Sequence, residues 1–206
     1  MIVETFERLK TGFDLKQIFF STNRAQADVL QHLMPQVPRE HIIVEPEKRD
    51  TAPAMIFAAL HLLNKFPDEP FVFIPSDHKI DSVERFLATL KVGENLVRKT
   101  GKLVDIGIAP SFPSTALGYM QVGKLFKPID CISVYNFLSH KEKPDGKTAA
   151  KYIKEGSYLW HANYYMWTPR KILSACARYE PEFKDLIDKL RQAISSDSAL
   201  TVKKVF

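Results

Sequence analysis

The sequence predicts an α/β protein with a mostly parallel central sheet and helices on both faces, and three observations carry that expectation. Short apolar runs suited to buried strands alternate with longer segments of helical period. Up to about residue 110 they follow one another at the spacing of strand–helix–strand crossover units. Turn residues punctuate the series, among them Gly12, Glu45-Pro46, Pro75 and Gly101.

Taken in order, residues 2 to about 11 predict a helix, with Phe6 and Leu9 inward and Gly12 as its stop. Gln17–Ser21 is an expected strand, and Asn23 caps a helix that carries Val29, Leu30 and Leu33. Ile42-Ile43-Val44 is a second short strand, closed by Glu45-Pro46. Asp50 or Thr51 then starts a helix in which the early Pro53 is tolerated. Its Ile56, Ala59, Leu60 and Leu63 fall at i, i+3, i+4 and i+7, one apolar face. Phe71–Ile74 is the central strand, and the segment with Val83, Phe86, Leu87 and Leu90 is a long helix ending before Gly101. Leu103–Ala109 is again a strand.

Beyond Pro110 the pattern loosens. Gly118–Val122 and Ile132–Leu138 read as strands, and Lys147–Glu155 as a helix stopped by Gly156. Tyr158–Trp167 is an aromatic strand. Thr168-Pro169 opens one further helix, and Glu182–Ile194 forms another. The expectation is one domain over 1–206, with a change of character near 110.

A chain of 206 residues can bury one good core. Hydrophobic residues make up 45% and charged ones 26%, the profile of a soluble globular protein. No apolar run nears the about 20 residues that cross a bilayer, and the N-terminus lacks a signal-peptide pattern. Cys131 and Cys176 lie too far apart to suggest a disulfide framework or a zinc knuckle, so reduced thiols and a cytoplasmic setting are expected. The net charge of +5 permits a polyanionic partner, but the lysines are dispersed. The densest cluster, Lys141-Glu142-Lys143, is broken by an acid, and no nucleic-acid module is recognisable. Neither a nucleic acid nor a membrane is an expected partner. A small phosphorylated ligand needs only a few of these charges, and a homo-oligomer stays open.

One stretch organises the rest: Val72-Phe73-Ile74-Pro75-Ser76-Asp77-His78. Pro75 cannot donate to a ladder, so pairing ends there. Asp77 is then left past the carboxyl end of a strand, where open α/β sheets place ligands. A carboxylate there suits a hard divalent cation and the phosphates it carries. Taken alone, these residues read first as a turn in which Asp77 caps the next segment, and only second as a cation site. In a parallel sheet the Glu45–Thr51 loop and the Pro75–His78 turn open on the same side.

Several words in the chain together resemble the sugar-phosphate nucleotidyltransferases, and most closely the mannose-1-phosphate guanylyltransferases. They are Val44-Glu45-Pro46-Glu47-Lys48-Arg49-Asp50-Thr51-Ala52-Pro53-Ala54, Pro75-Ser76-Asp77-His78, Gly118-Tyr119, Glu142-Lys143-Pro144-Asp145 and Tyr158-Leu159-Trp160. Each is weak alone, but their order and spacing over residues 2 to about 190 are specific.

The resemblance implies a Rossmann-like nucleotidyltransferase fold with a nucleotide-binding half to about 110 and a mixed sugar-phosphate-binding half over 111–206. It implies nucleotidyl transfer from GTP to mannose 1-phosphate, releasing pyrophosphate. Asp77 would hold Mg2+ (or another divalent cation) and act in catalysis with Lys143. Glu45, Pro46, Asp50, Thr51, Ala52 and Ser76 would meet the nucleotide with Asp77. Gly118, Tyr119, Glu142, Lys143, His161 and Asn163 would meet the sugar phosphate.

The chain also departs from the family pattern. Asp50 stands where the base loop usually has Asn. His161, Ala162 and Asn163 replace Asn, a small residue and Gly after Trp160, which leaves the sugar open. Residues 1–40 contain nothing like the family's opening strand and glycine-rich triphosphate loop, and the chain stops at Phe206, ahead of a second acidic segment. The implied domain is therefore incomplete, its first strand missing between those at about 17–21 and 71–74, and little activity is expected from this chain alone. The alternatives are a non-catalytic sugar-nucleotide-binding or regulatory subunit of the same fold, and a nucleotidyltransferase for another base or sugar.

Overall fold

Residues 1–16 supply no strand: they form the helix α1 (Ile2–Lys10) and then a single-turn helix over Leu15–Gln17. The computed structural model describes residues 1–126, 128–196 and 199–206. The chain next forms β1 (Phe20–Asn23), α2 (Arg24–Leu33), β2 (Ile42–Glu45), α3 (Thr51–Leu63) and the two-residue β3 (Phe71–Val72). After α4 (Val83–Thr100) come β4 (Val104–Ile108), β5 (Tyr119–Leu125), β6 (Tyr135–Lys141), α5 (Gly146–Glu155) and β7 (Tyr158–Trp167). Three helices close the series: α6 (Pro169–Tyr179), α7 (Pro181–Ser195) and α8 (Ala199–Val205).

These elements sort into two units. One holds Met1–Phe71, Ser76–Val83 and Trp167–Phe206, the other Val72–Pro75 and Glu84–Met166. The division thus falls at the short segments around 71–84 and 166–167, not near residue 110. The physical reason lies in α6–α8, whose apolar stripes find their partner in the N-terminal part of the chain.

In the first unit β1 and β2 pair in parallel, Phe20 opposite Ile42 and Asn23 opposite Glu45. Phe6, Ile18, Phe20, Leu30, Met34 and Val37 bury themselves around this pair. The expected strand at 17–21 begins later because Leu15–Gln17 closes a turn first, Gln17 N–H donating to Asp14 O at 2.9 Å. Asn23 caps α2 as expected, accepting from Gln26 N–H at 3.0 Å. Helix α3 is apolar nearly all round, with Met55 to Leu60 and Leu62 buried. A helix of that kind belongs inside a core, and α6 and α7 pack on it.

The second unit is built on β7. Trp160 pairs on both sides, with Ile108 of β4 and Tyr119 of β5. β6 completes a hairpin on β5, and β3 adds to β7. All three registered pairs here, β4–β7, β5–β6 and β5–β7, are antiparallel. The α/β class holds, but among the registered pairs parallel pairing is confined to β1–β2. β5 and β6 are joined as a hairpin, which forces antiparallel pairing, since a parallel pair needs a helix-length crossover. The central strand is also shorter than expected: the ladder of β3 ends at Val72, although Phe73 N–H still donates to Tyr165 O at 3.0 Å.

Burial alternates along β7. Tyr158, Trp160, Ala162, Tyr164 and Met166 are buried, whereas Leu159, His161, Asn163 and Tyr165 line a more open face. Gly107, paired with His161, shares that face. A Cβ there would lie 2.8 Å from Leu159 Cβ and 2.9 Å from Met120 Cε. Leu159 cannot withdraw its Cβ without moving the strand. Gly107→Ala is therefore expected to destabilise the fold by about 1–3 kcal/mol, read as a lower denaturant midpoint with an unchanged slope.

Candidate functional site

The nucleotide-type residues all belong to the first unit. Glu45 ends β2, where Ser21 Oγ donates to its Oε1 at 2.8 Å. Pro46 follows, half-buried, and the exposed Asp50, Thr51 and Ala52 form the start of α3. Asp50 is the N-cap residue, with extended backbone, but its carboxylate accepts no cap hydrogen bond. The expectation that Asp50 could cap α3 holds for the backbone and not for the side chain. The N–H groups of the first turn keep their capacity for an incoming acceptor, and the helix dipole favours an anion there.

Ser76 and Asp77 lie exposed in a turn of the same unit. Side chains of α1 hold this turn by its carbonyls. Thr5 Oγ1 donates to Ser76 O at 3.1 Å, and Arg8 Nη2 to His78 O at 3.3 Å and to Thr5 Oγ1 at 2.9 Å. Asp77 is thus an exposed carboxylate on an anchored backbone, not a packed core residue. No group of three or more His, Cys, Asp or Glu side chains able to hold a metal occurs among the described residues. Magnesium, however, is commonly held through one or two carboxylates together with substrate phosphates and water, so the single carboxylate of Asp77 suits an ion that arrives with a nucleotide.

The sugar-type residues all fall in the second unit, and all but Tyr119 lie on or beside the open face of its sheet. His161 N–H donates to Gly118 O at 2.9 Å, which sets the two side by side across β7 and β5. A Cβ at Gly118 would stand 2.7 Å from His140 Cε1 and 3.0 Å from Glu142 Oε2, so only glycine lets those side chains lean over the backbone. His140 Nε2 and Glu142 Oε2 are 2.9 Å apart, and Lys143 Nζ is 3.5 Å from Glu142 Oε1. The His140 hydrogen bond, then the Lys143 charge, hold the Glu142 carboxyl below the usual range. Lys143 has φ +38° and Asn163 φ +58°. At Asn163 the pairing with β4 slips: Asp105 faces Tyr165 while Gly107 faces His161. Asn is one of the few residues that tolerates the left-handed conformation, so the bulge survives without glycine.

Tyr119 requires a correction. Its side chain is fully buried on the opposite face, where its hydroxyl donates to Ser114 O at 3.0 Å and its ring packs on Tyr152 at 5.4 Å. It neighbours Gly118 in sequence, but alternation along β5 turns it into the core, so its side chain is not available to a sugar.

Three residues of this face are marked by no sequence motif: Asp105, His140 and Tyr165. Asp105 Oδ2 lies 2.9 Å from His161 Nε2, and the His161 ring meets those of His140 and Tyr165 edge-on at 4.9 and 5.1 Å. Burial, and after it the charges of Asp105 and Glu142, push the Tyr165 phenol up. The available signal was Asp105 itself, a lone acid inside the apolar run Val104–Ile108. A groove of about 710 Å³ also opens in the first unit between α3, α6 and α7, lined by Leu63, Arg170, Lys184 and Arg191 among others, and it holds none of the predicted residues.

The first unit thus offers a helix start open to anions and an exposed, anchored carboxylate, and the second a glycine-opened sheet face of acids, histidines and a lysine. The chain belongs to the nucleotidyl transferase family, whose profile matches residues 1–205. It is 35% identical over 158 residues to a mannose-1-phosphate guanylyltransferase of Escherichia coli, a match covering 76% of this chain and 33% of that protein. It is 31% identical over 175 residues to the xanthan biosynthesis protein XanB of Xanthomonas campestris pv. campestris (strain B100), covering 85% and 36%. The chain thus spans about a third of the length of these curated relatives. Among solved structures, its fold matches one described as mannose-1-phosphate geranyltransferase from Thermus thermophilus. The TM-score is 0.81 at 23% identity, over 98% of this chain and 56% of that one.

Proposed function

We propose that the protein transfers a guanylyl group from GTP to mannose 1-phosphate. An oxygen of the sugar phosphate attacks the α-phosphorus of GTP in line. The bond from that phosphorus to the bridging oxygen breaks, and pyrophosphate leaves with GDP-mannose as the other product. The observation that carries this reading is the gathering of Gly118, Glu142 and Lys143, from two separate sequence words, with His161, just past a third, about one open sheet face. The relatives' names support the choice of mannose and guanine.

In this reading Glu142 accepts hydrogen bonds from sugar hydroxyls, and Lys143 meets the sugar phosphate as a compact cation. The loop from Glu45 to Ala52 presents backbone donors and acceptors to the base. Asp77 would hold a magnesium ion, which when bound supplies neutralisation of the phosphate charge. We place the protein in the cytoplasm, where Cys131 and Cys176, both free thiols here, stay reduced.

The test is pyrophosphate release, measured with a panel of nucleoside triphosphates and hexose 1-phosphates. It is run on this chain and, should its gene encode a longer one, on that form too. Release that is greatest with GTP and mannose 1-phosphate is expected. Preference for another base or sugar, or binding of GDP-mannose with no release in either form, would overturn it, the latter in favour of a binding subunit.

A further inference from the structure

On the open face of the second unit, one pair of side chains does more than line the sugar site. Asp105 is an acid in the apolar strand β4 with its side chain only 17% exposed, and His161 beside it is 9% exposed. Burying a carboxylate in this way is unfavourable unless its charge finds a partner. The partner is His161 Nε2, 2.9 Å from Oδ2, yet the contact is bent away from a linear hydrogen bond. Both Nε2 and Asp105 Oδ1 stay buried without a fully formed one.

The ring is held from several sides. The residues facing His161 across the sheet are both glycines, Gly107 of β4 and Gly118 ahead of β5. His140 of β6 and Tyr165 of β7 meet the ring edge-on at 4.9 and 5.1 Å. With Nε2 turned to Asp105, the nitrogen left for a ligand is Nδ1. Which ring nitrogen carries the proton follows from the partner of the other. A carboxylate at Nε2 stabilises the Nε2–H tautomer, and Nδ1 is then a lone-pair acceptor. The charged and titratable groups facing His161 are Asp105 from β4, His140 from β6, Glu142 with Lys143 just past β6, and Tyr165 from its own strand. Lys143 is the fixed cation among them and suits the phosphate, whereas a sugar hydroxyl can donate to a neutral ring nitrogen.

We propose that Asp105 is a positioning residue that fixes His161 as a hydrogen-bond acceptor, at Nδ1, for a hydroxyl of the bound sugar. A proton on Nδ1 would remove that acceptor and weaken sugar binding. The proposal rests on the sugar-nucleotide reading above.

The experiment measures GDP-mannose binding by calorimetry from about pH 5 to pH 8, a probe whose diphosphate keeps its charge across that range. It follows His161 by 15N-edited NMR in the same samples. In the wild type the Nε2–H tautomer is expected, with affinity falling in step with His161 protonation. Asp105→Asn is expected to mix the tautomers and weaken GDP-mannose roughly tenfold at the upper pH, with GTP affinity unchanged. His161→Asn keeps an acceptor that does not titrate. Its GDP-mannose affinity, whatever its level, should show a flat pH profile.

An Nδ1–H tautomer, tighter binding at low pH, or an Asp105→Asn variant with wild-type affinity and pH profile would each overturn the proposal while leaving the function standing. No binding of GDP-mannose by the folded wild type at any pH would overturn both. The wild-type tautomer and pH profile need no variant, so a misfolded Asp105→Asn does not blunt the test.

Discussion

Asp77→Asn is expected to lower nucleotidyl transfer roughly 10²- to 10³-fold, the loss seen when one preorganised electrostatic group is removed. The substitution keeps size and hydrogen-bonding capacity but removes the charge on which a cation-bound phosphate depends. Because Asp77 is exposed and the turn is held through the carbonyls of Ser76 and His78, the fold is expected to be unmoved. The loss should therefore appear in kcat and in the magnesium dependence, with an unchanged unfolding midpoint. An Asn variant with wild-type kcat and the same magnesium requirement would show that Asp77 only shapes the turn.

The second large effect is expected at Gly118. A methyl group there would come within 2.7 Å of His140 Cε1 and 3.0 Å of Glu142 Oε2. Both are ends of flexible side chains, 37% and 60% exposed, that can swing into water. Gly118→Ala should thus cost little stability, in contrast to Gly107→Ala, where the obstacle includes Leu159 Cβ. The displaced Glu142 is the group proposed to accept sugar hydroxyls. Binding of mannose 1-phosphate should weaken roughly tenfold or more, about one charge-assisted hydrogen bond, with GTP binding unaffected. Equal losses for both ligands, or a large drop in stability, would contradict this account.

Much of the architecture was legible because it depends on local rules. The stripe Ile56, Ala59, Leu60, Leu63 marked α3, Asn23 marked the start of α2, and Gly156 its place as a left-handed stop after α5, with φ +69°. The site words were legible because each is contiguous. What escaped was any fact set by pairing. Tyr119 looks like a site residue beside Gly118, and strand alternation alone sends it inward. Asp105 reads as one acid in an apolar run until the register of β4 on β7 brings it to His161. The antiparallel second sheet and the return of α6 and α7 onto α3 depend on which apolar faces meet, and many meetings satisfy one hydrophobic pattern.

Sequence by itself determined most of the helices, the strand segments and the family, and it nominated residues for phosphates and sugar, since these follow from side-chain chemistry at short range. Only the tertiary structure decided which face of each strand opens to a ligand, which glycine gives room to Glu142, and that an acid 56 positions away holds His161. Long-range register is set by the packing of whole faces, and no single stretch of chain encodes it.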